Sequence, residues 1–126
     1  MKYFILFVLT GFFIYLSLGA EKGSPDVIRE MKIKIHPYSG LNSDLYLQFV
    51  NNIELFGQNI SSVTLASQYL YRAIQNLNDL HLYTDTAHFR KEIEEISIKG
   101  EKMLLKSSLK YGSLFVPRYL NNTLEI

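Results

Sequence analysis

The hydrophobic and polar positions divide the chain into one long apolar stretch and a body of amphipathic segments. Between Tyr3 and Ala20 there is no charged side chain, and charge returns at Glu21 and Lys22. A helix needs about 20 apolar residues to cross the core of a bilayer. We therefore predict a single transmembrane anchor over residues 1–22.

The apolar stretch has three interpretations: a retained anchor, a cleaved signal peptide and a buried core helix. As a signal peptide it has a basic start at Lys2 and a small-x-small cleavage site at residues 17–19, with cutting before Ala20. Removal of residues 1–19 would leave a secreted helical binding domain. A buried core helix is the third interpretation, but a small body has little interior for a helix that is apolar on all sides. We favour a retained anchor because the stretch is longer and more aromatic than a signal requires.

Flanking charge predicts the orientation of this anchor. Lys2 precedes the apolar stretch, whereas Lys22, Arg29, Lys32 and Lys34 follow it. Cytoplasmic flanks carry the excess of Lys and Arg. We therefore expect a single-pass membrane protein whose body lies on the cytoplasmic side.

Three amphipathic helices are predicted within residues 42–112. The first begins at Asn42 or Ser43 and ends at Phe56. Its apolar stripe is Leu45, Phe49, Ile53 and Phe56. The second begins at Ser61 or Ser62 and ends near Leu77. Its stripe is Ala66, Tyr69, Leu70, Ala73 and Leu77. Both patterns recur every three or four residues, as on one face of a helix.

The third helix is predicted from Thr84 or Asp85 to Tyr111, ahead of Gly112. Its stripe is Phe89, Ile93, Ile96, Gly100 and Met103. Glycine in a helix interior costs about 1 kcal/mol relative to alanine. Gly100 therefore indicates either a break in the helix or a close packing contact.

The predicted fold class is mainly α: a single transmembrane helix, a small antiparallel three-helix bundle and an extended C-terminal tail. Residues 23–41 form a juxtamembrane connector in this interpretation. Within it, Ser24 or Asp26 caps a short helix that ends at Glu30 or Met31, and Met31 to Ile35 form an extended arm. Residues 113–126 form an apolar docking tail in which Pro117 prevents a regular helix. The tail residues expected to make contacts are Leu114, Phe115, Val116, Tyr119 and Leu120. We expect them to dock on the bundle or, preferentially, on a partner chain.

Composition removes several classes of function. There is no cysteine, which excludes disulfides and thiolate chemistry. Thirteen Lys and Arg residues face 12 Asp and Glu residues, a net charge of +1. A balanced body creates no global field for nucleic acid, so no nucleic-acid partner is expected.

One basic feature stands out on the third helix. Lys102, Lys106 and Lys110 form a row at i, i+4 and i+8, with Lys99 nearby. The row is interpreted as a solvated helix face, as a contact for lipid headgroups or an acidic protein surface, or as a nucleic-acid contact. These alternatives remain open from the sequence.

Candidate chemistry is sparse. His81, Asp85 and His88 include metal-ligand types, but their spacing spans a predicted helix start. Ser39 beside His36 lies in a turn. Ordinary cap, turn and surface roles explain these residues. We therefore predict no enzyme activity, no catalytic or metal site and no cofactor.

Three segments carry a family resemblance: the anchor, residues 36–46 (HPYSGLNSDLY) and residues 70–77 (LYRAIQNL). Together they resemble small membrane-anchored virion proteins of giant icosahedral double-stranded DNA viruses. The resemblance implies a minor capsid protein at the interface between the inner viral membrane and the capsid shell, with capsid proteins as partners. The alternative is a single-pass accessory subunit of a cellular membrane complex. In either case the expected role is that of a structural adaptor.

Overall fold

The computed structural model describes residues 24–120, and this part of the chain is mainly helical, as predicted. The four α-helices in this range are α1 (Ser24–Ile35), α2 (Ser43–Gln58), α3 (Val63–His81) and α4 (Ala87–Tyr111), with a 3-10 turn at His36–Tyr38. None of the four is both long enough and apolar enough to cross a bilayer. The predicted anchor, residues 1–22, lies outside the described residues.

Helix α1 replaces the extended arm that was predicted for Met31 to Ile35, and that prediction is wrong. Met31 and Ile35 are 1% and 0% exposed, and Ile28 is also buried. Together they form an i, i+3, i+7 stripe that only a helix places on one face. Ile33, which completed the apparent strand alternation, is 62% exposed. The predicted short helix that ended at Glu30 or Met31 therefore continues to Ile35, and the described bundle contains four helices rather than three.

Helix α1 runs antiparallel to α2. Ile28 lies against the backbone at Gly57. Further along α1, Lys32 Nζ donates to Glu54 Oε2 at 2.7 Å. Since the residue numbers rise on α1 while they fall on α2, the two helices point in opposite directions.

Helix α1 is also fastened to α4 by ion pairs. Lys34 Nζ lies 3.1 Å from Glu92 Oε1 and 3.0 Å from Glu95 Oε1. The hydrogen bond from Lys34 holds the pKa of Glu95 below its usual value. Lys99 Nζ lies 3.6 Å from Glu30 Oε1, nearer the start of α1. These pairs again run in opposite directions, so α1 and α4 are antiparallel.

The contact between α2 and α3 is the most extensive in the bundle. Asn42 donates to the Tyr83 hydroxyl at 3.0 Å, and Asn52 donates to Asn76 at 2.8 Å, which makes this pair antiparallel. Asn76 is buried and donates in turn to Gln48 at 3.1 Å. The buried amide is thereby hydrogen-bonded on both sides, as a buried polar group requires.

The predicted stripe of α2 forms the core. Phe49, Ile53 and Phe56 are each 0% exposed, and Leu45 packs against the same cluster. Asn42 caps α2, its side chain accepting from the Leu45 N–H at 3.1 Å. Both the cap and the stripe were predicted from the sequence and are confirmed.

Helix α4 is continuous through Gly100, so the alternative of a break is wrong. A Cβ at Gly100 would lie 2.6 Å from Cδ1 of the buried Leu70. Thr86 caps the helix by accepting from the Phe89 N–H at 3.2 Å. Gly112 ends it with a left-handed φ of 76°. The predicted close contact at Gly100 and the predicted end at Tyr111 are confirmed.

The antiparallel pairs place one set of helix ends together. The beginnings of α1 and α3 lie at the same end of the bundle as the last residues of α2 and α4. We call this the proximal end, comprising Ser24, loop 59–62 and Gly112. The opposite end, comprising residues 36–42 and 82–86, is the distal end.

Phe49→Ala is expected to destabilise the protein by about 3–5 kcal/mol, because it removes a fully buried aromatic ring from the α2 stripe. Thermal unfolding of the full chain, followed by circular dichroism, measures the change. Leu47→Ala is the control, since Leu47 is 61% exposed on the same helix. Equal unfolding temperatures for the two variants would contradict the packing.

Gly100→Ala is expected to cost about 1–3 kcal/mol despite the better helix propensity of alanine, because the methyl group meets Leu70. Leu70→Ala should cost less when it is combined with Gly100→Ala than in the native chain, so the double-mutant cycle should show coupling. Gly40→Ala is the control, since no residue other than its chain neighbours lies within 4 Å of its Cβ position. Additive effects of the two substitutions would contradict a direct contact.

Candidate functional site

An open groove lined by lysines lies on α4 toward the proximal end, and we call it the lysine groove. It contains the predicted row, Lys102, Lys106 and Lys110, together with Lys99. Its volume is about 610 Å³. Its apolar lining comprises Val27, Ile60, Met103, Leu105, Leu109 and Tyr111. The structure therefore joins the lysine row to apolar surface from two other segments of the chain.

Helix geometry explains the row. Residues four apart lie one above the other on a helix, so Lys102, Lys106 and Lys110 share one exposed face. Leu104 lies on the opposite side, in the core. Leu109 is 80% exposed beside the lysines. The groove consequently presents ammonium groups and hydrocarbon side by side.

Charge is distributed unevenly along α4. Three of its four glutamates, Glu92, Glu94 and Glu95, lie in the distal half, where Glu92 and Glu95 contact Lys34. Lys99 pairs with Glu30, and the other three lysines continue the row from there toward the proximal end. Lys110, in the last turn, suits the dipole of the helix, whereas the first turn holds no acidic residue. The proximal half of α4 is therefore the cationic half.

A second site holds the C-terminal tail against the bundle. Glu101 is 0% exposed, and its carboxylate accepts four hydrogen bonds. Three come from the backbone N–H groups of Arg118, Tyr119 and Leu120, at 2.8, 2.7 and 2.7 Å. The fourth comes from the Tyr71 hydroxyl at 2.5 Å. We call this arrangement the Glu101 latch.

The partners of the latch reinforce one another. The Arg118 guanidinium carbon lies 4.2 Å from the centre of the Tyr71 ring, a cation–π distance. Burial, and then the hydrogen bond to Glu101, raise the pKa of the Tyr71 phenol. Tyr71 therefore remains a hydrogen-bond donor at neutral pH. Because every contact to Glu101 comes from a donor, both of its oxygens act as acceptors, the pattern of a carboxylate.

The predicted docking residues of the tail fall into two groups. Leu120 is buried, and Phe115 and Tyr119 pack against the hydrophobic core. Leu114 and Val116 are 88% and 67% exposed. The first group docks on the chain's own bundle, one of the two expected outcomes. Contact of the second group with a partner chain stays a prediction.

The polar candidates from the sequence do not converge. His81 Nε2 lies 3.2 Å from Asp85 Oδ1, whereas His88 Nε2 lies 3.3 Å from Glu92 Oε2. Across residues 24–120 no three His, Asp or Glu side chains are grouped so as to hold a metal ion. His36 and Ser39 meet through their backbones, with the Ser39 N–H donating to the His36 carbonyl at 3.0 Å.

Sequence reasoning missed Glu101. The spacing of Glu101 along the helix could have revealed it. Glu101 follows Gly100 and lies three residues before the buried Leu104, which places its carboxylate on the core side of α4. A charged side chain at such a position requires partners. Those partners are mainly backbone groups, and no residue-type pattern marks them.

No protein-family model, curated protein or solved structure matches this chain. Function is therefore inferred from the geometry and charge of the lysine groove and the tail.

Glu101→Gln is expected to release the tail, because an amide NH₂ group would face donors where a carboxylate oxygen now accepts. The loss of charge-assisted hydrogen bonds should cost about 1–3 kcal/mol. Limited trypsin cleavage after Arg118 measures release, since that backbone is held in the native chain. Glu94→Gln is the control, an exposed carboxylate on the same helix. Unchanged cleavage in Glu101→Gln, with native helicity, would contradict a holding role for Glu101.

Proposed function

We propose that this protein is a structural, membrane-tethered adaptor. In this proposal residues 3–20 hold it in a bilayer, the helical body lies on the cytoplasmic side, and the body contacts other proteins of a larger assembly. The proposal assigns it no enzymatic reaction and no cofactor.

The position of the lysine groove is the observation that carries the proposal. The groove includes Val27, in the first turn of α1, and α1 begins four residues after the apolar stretch ends at Ala20. An anchor would therefore leave the bilayer beside the cationic half of α4. Lysines next to a membrane-spanning segment are attracted to the anionic cytoplasmic leaflet.

Exposed apolar residues that do not line the groove support the second half of the proposal, contact with other proteins. Leu82 and Tyr83 are 82% and 55% exposed at the distal end, and Leu114 and Val116 are exposed on the tail. Tyrosine and large apolar side chains are enriched at protein interfaces. A body held to a membrane at its proximal end presents the distal residues to proteins farther from the bilayer.

The resemblance to membrane-anchored virion proteins gives the adaptor a specific setting. It supports a minor capsid protein at the interface between an inner viral membrane and a capsid shell. An accessory subunit of a cellular membrane complex would use the same anchor and the same exposed residues. The neighbours that copurify with the protein from its native source separate these two settings.

Membrane tethering predicts that the full chain resists extraction with high salt or alkaline carbonate and is released by detergent. The matched control is Val8→Lys/Phe13→Lys, because each lysine inside a spanning helix costs about 2.5–3.5 kcal/mol. That variant should be released by carbonate. Release of the unaltered chain by carbonate would contradict tethering. Recovery of a mature chain that begins at Ala20 would support the secreted binding domain instead.

A further inference from the structure

We infer that the lysine groove binds an anionic phospholipid, with the headgroup phosphate among the lysines and an acyl chain against the apolar lining. The inference deepens the proposed function and rests on it, because a bilayer is the source of the ligand. It adds selectivity for an anionic headgroup, which tethering by residues 3–20 does not require.

The charge of the groove favours a phosphate group. Lys99, Lys102, Lys106 and Lys110 lie within 12 consecutive residues of one helix, a length of about 16 Å from first to last. Glu30 contacts the first of them at 3.6 Å. Lys102, Lys106 and Lys110 lie beyond Glu30, toward the proximal end of α4. The negative charge of a lipid headgroup complements their positive charge there. A volume of about 610 Å³ suits a ligand of small-molecule size.

The apolar lining favours a lipid over a free phosphate. Leu109 is 80% and Tyr111 is 52% exposed, and both line the groove with the half-buried Met103. A phosphate ion would leave this hydrocarbon in water, whereas an acyl chain would cover it. Tyrosine is also enriched at the level of lipid headgroups.

Other occupants fit the groove less well. Residues 3–20 of the same chain have hydrocarbon but no charge to offer four lysines. A second copy could offer Asp85 beside the exposed Leu82 and Tyr83 at its distal end. A copy anchored in the same bilayer, however, holds that end away from the bilayer and away from the groove at its neighbour's proximal end. An anionic phospholipid supplies both chemistries in one molecule.

The test uses the full chain in phosphatidylcholine vesicles that contain a trace of acyl-chain photoreactive lipid. One set contains photoreactive phosphatidylglycerol, and the other contains photoreactive phosphatidylcholine. Flotation first reports whether the chain is in the membrane. Crosslinked peptides are then located by mass spectrometry, with and without free glycerol phosphate as a soluble competitor, and crosslinking between chains is scored in the same samples.

We expect phosphatidylglycerol to crosslink at Met103 and Leu109 on the order of tenfold more than phosphatidylcholine, given the attraction of several lysines to one anionic headgroup. Lys102→Gln/Lys106→Gln/Lys110→Gln should abolish that preference. The control Arg72→Gln/Arg90→Gln/Lys91→Gln removes the same charge outside the groove and should keep it. Leu109→Gln, at an exposed position that the fold does not need, should lower the yield at Met103.

Several outcomes would overturn the inference. Equal crosslinking of the two lipids in a chain that floats would reject lipid selectivity while leaving the tether intact. Loss of the preference in both triple variants would assign it to overall charge. Elimination of the crosslinks by millimolar glycerol phosphate would indicate a phosphate site, and chain-to-chain crosslinks at the groove would indicate a second copy. Failure to float would reject the tether itself, and with it the lipid site.

Discussion

The contact between Leu70 and the bare backbone at Gly100 sets how closely α3 and α4 lie, and the neighbouring features follow from it. Tyr71 and Glu101 follow these two residues in the chain, and the long Tyr71 side chain brings its hydroxyl to the carboxylate next to this close contact. A side chain at position 100 would separate the helices where the latch requires them to be close. The tail is thus held by the carboxylate of Glu101, and the close helix packing that this requires depends on the glycine one residue earlier, Gly100.

Helix α4 has a buried side and two different exposed halves, and each makes different contacts. Its buried side contributes to the core through Phe89, Ile96 and Leu104. Its distal half ties α1 in place through carboxylates that meet Lys34. Its proximal half carries the lysine groove. Because Glu92 and Glu95 pair with Lys34 and Glu101 is buried, the balanced composition of the chain hides a local cationic surface on the proximal half of α4.

Apolar periodicity was enough to predict three of the four helices, because their stripes lie within single segments. The stripe of α2 and the end of α4 at Gly112 follow from local residue types alone. The first half of α1 was predicted as a short helix, but its second half was missed because Met31, Ile33 and Ile35 alternate as in a strand. Only the inclusion of Ile28 reveals the helical period. The lysine row was visible in the sequence, but Val27 and Ile60 reach the groove from other segments. The Glu101 latch could not be predicted from residue types, because three of its four donors are backbone N–H groups, which all residues except proline have.

The Glu101 latch makes the packing of the bundle depend on residues 118–120 of the tail. The carboxylate is satisfied by the backbone of residues 118–120, which the ribosome adds 17 to 19 residues after Glu101 itself. A chain that stops short of Arg118 has a carboxylate on the core side of α4 with only Tyr71 to bind it. Such a carboxylate must draw water inward or loosen α3 from α4. Packing around Glu101 therefore depends on the presence of residues 118–120. Chains that lack these residues are expected to differ in the interior of the bundle as well as in the tail.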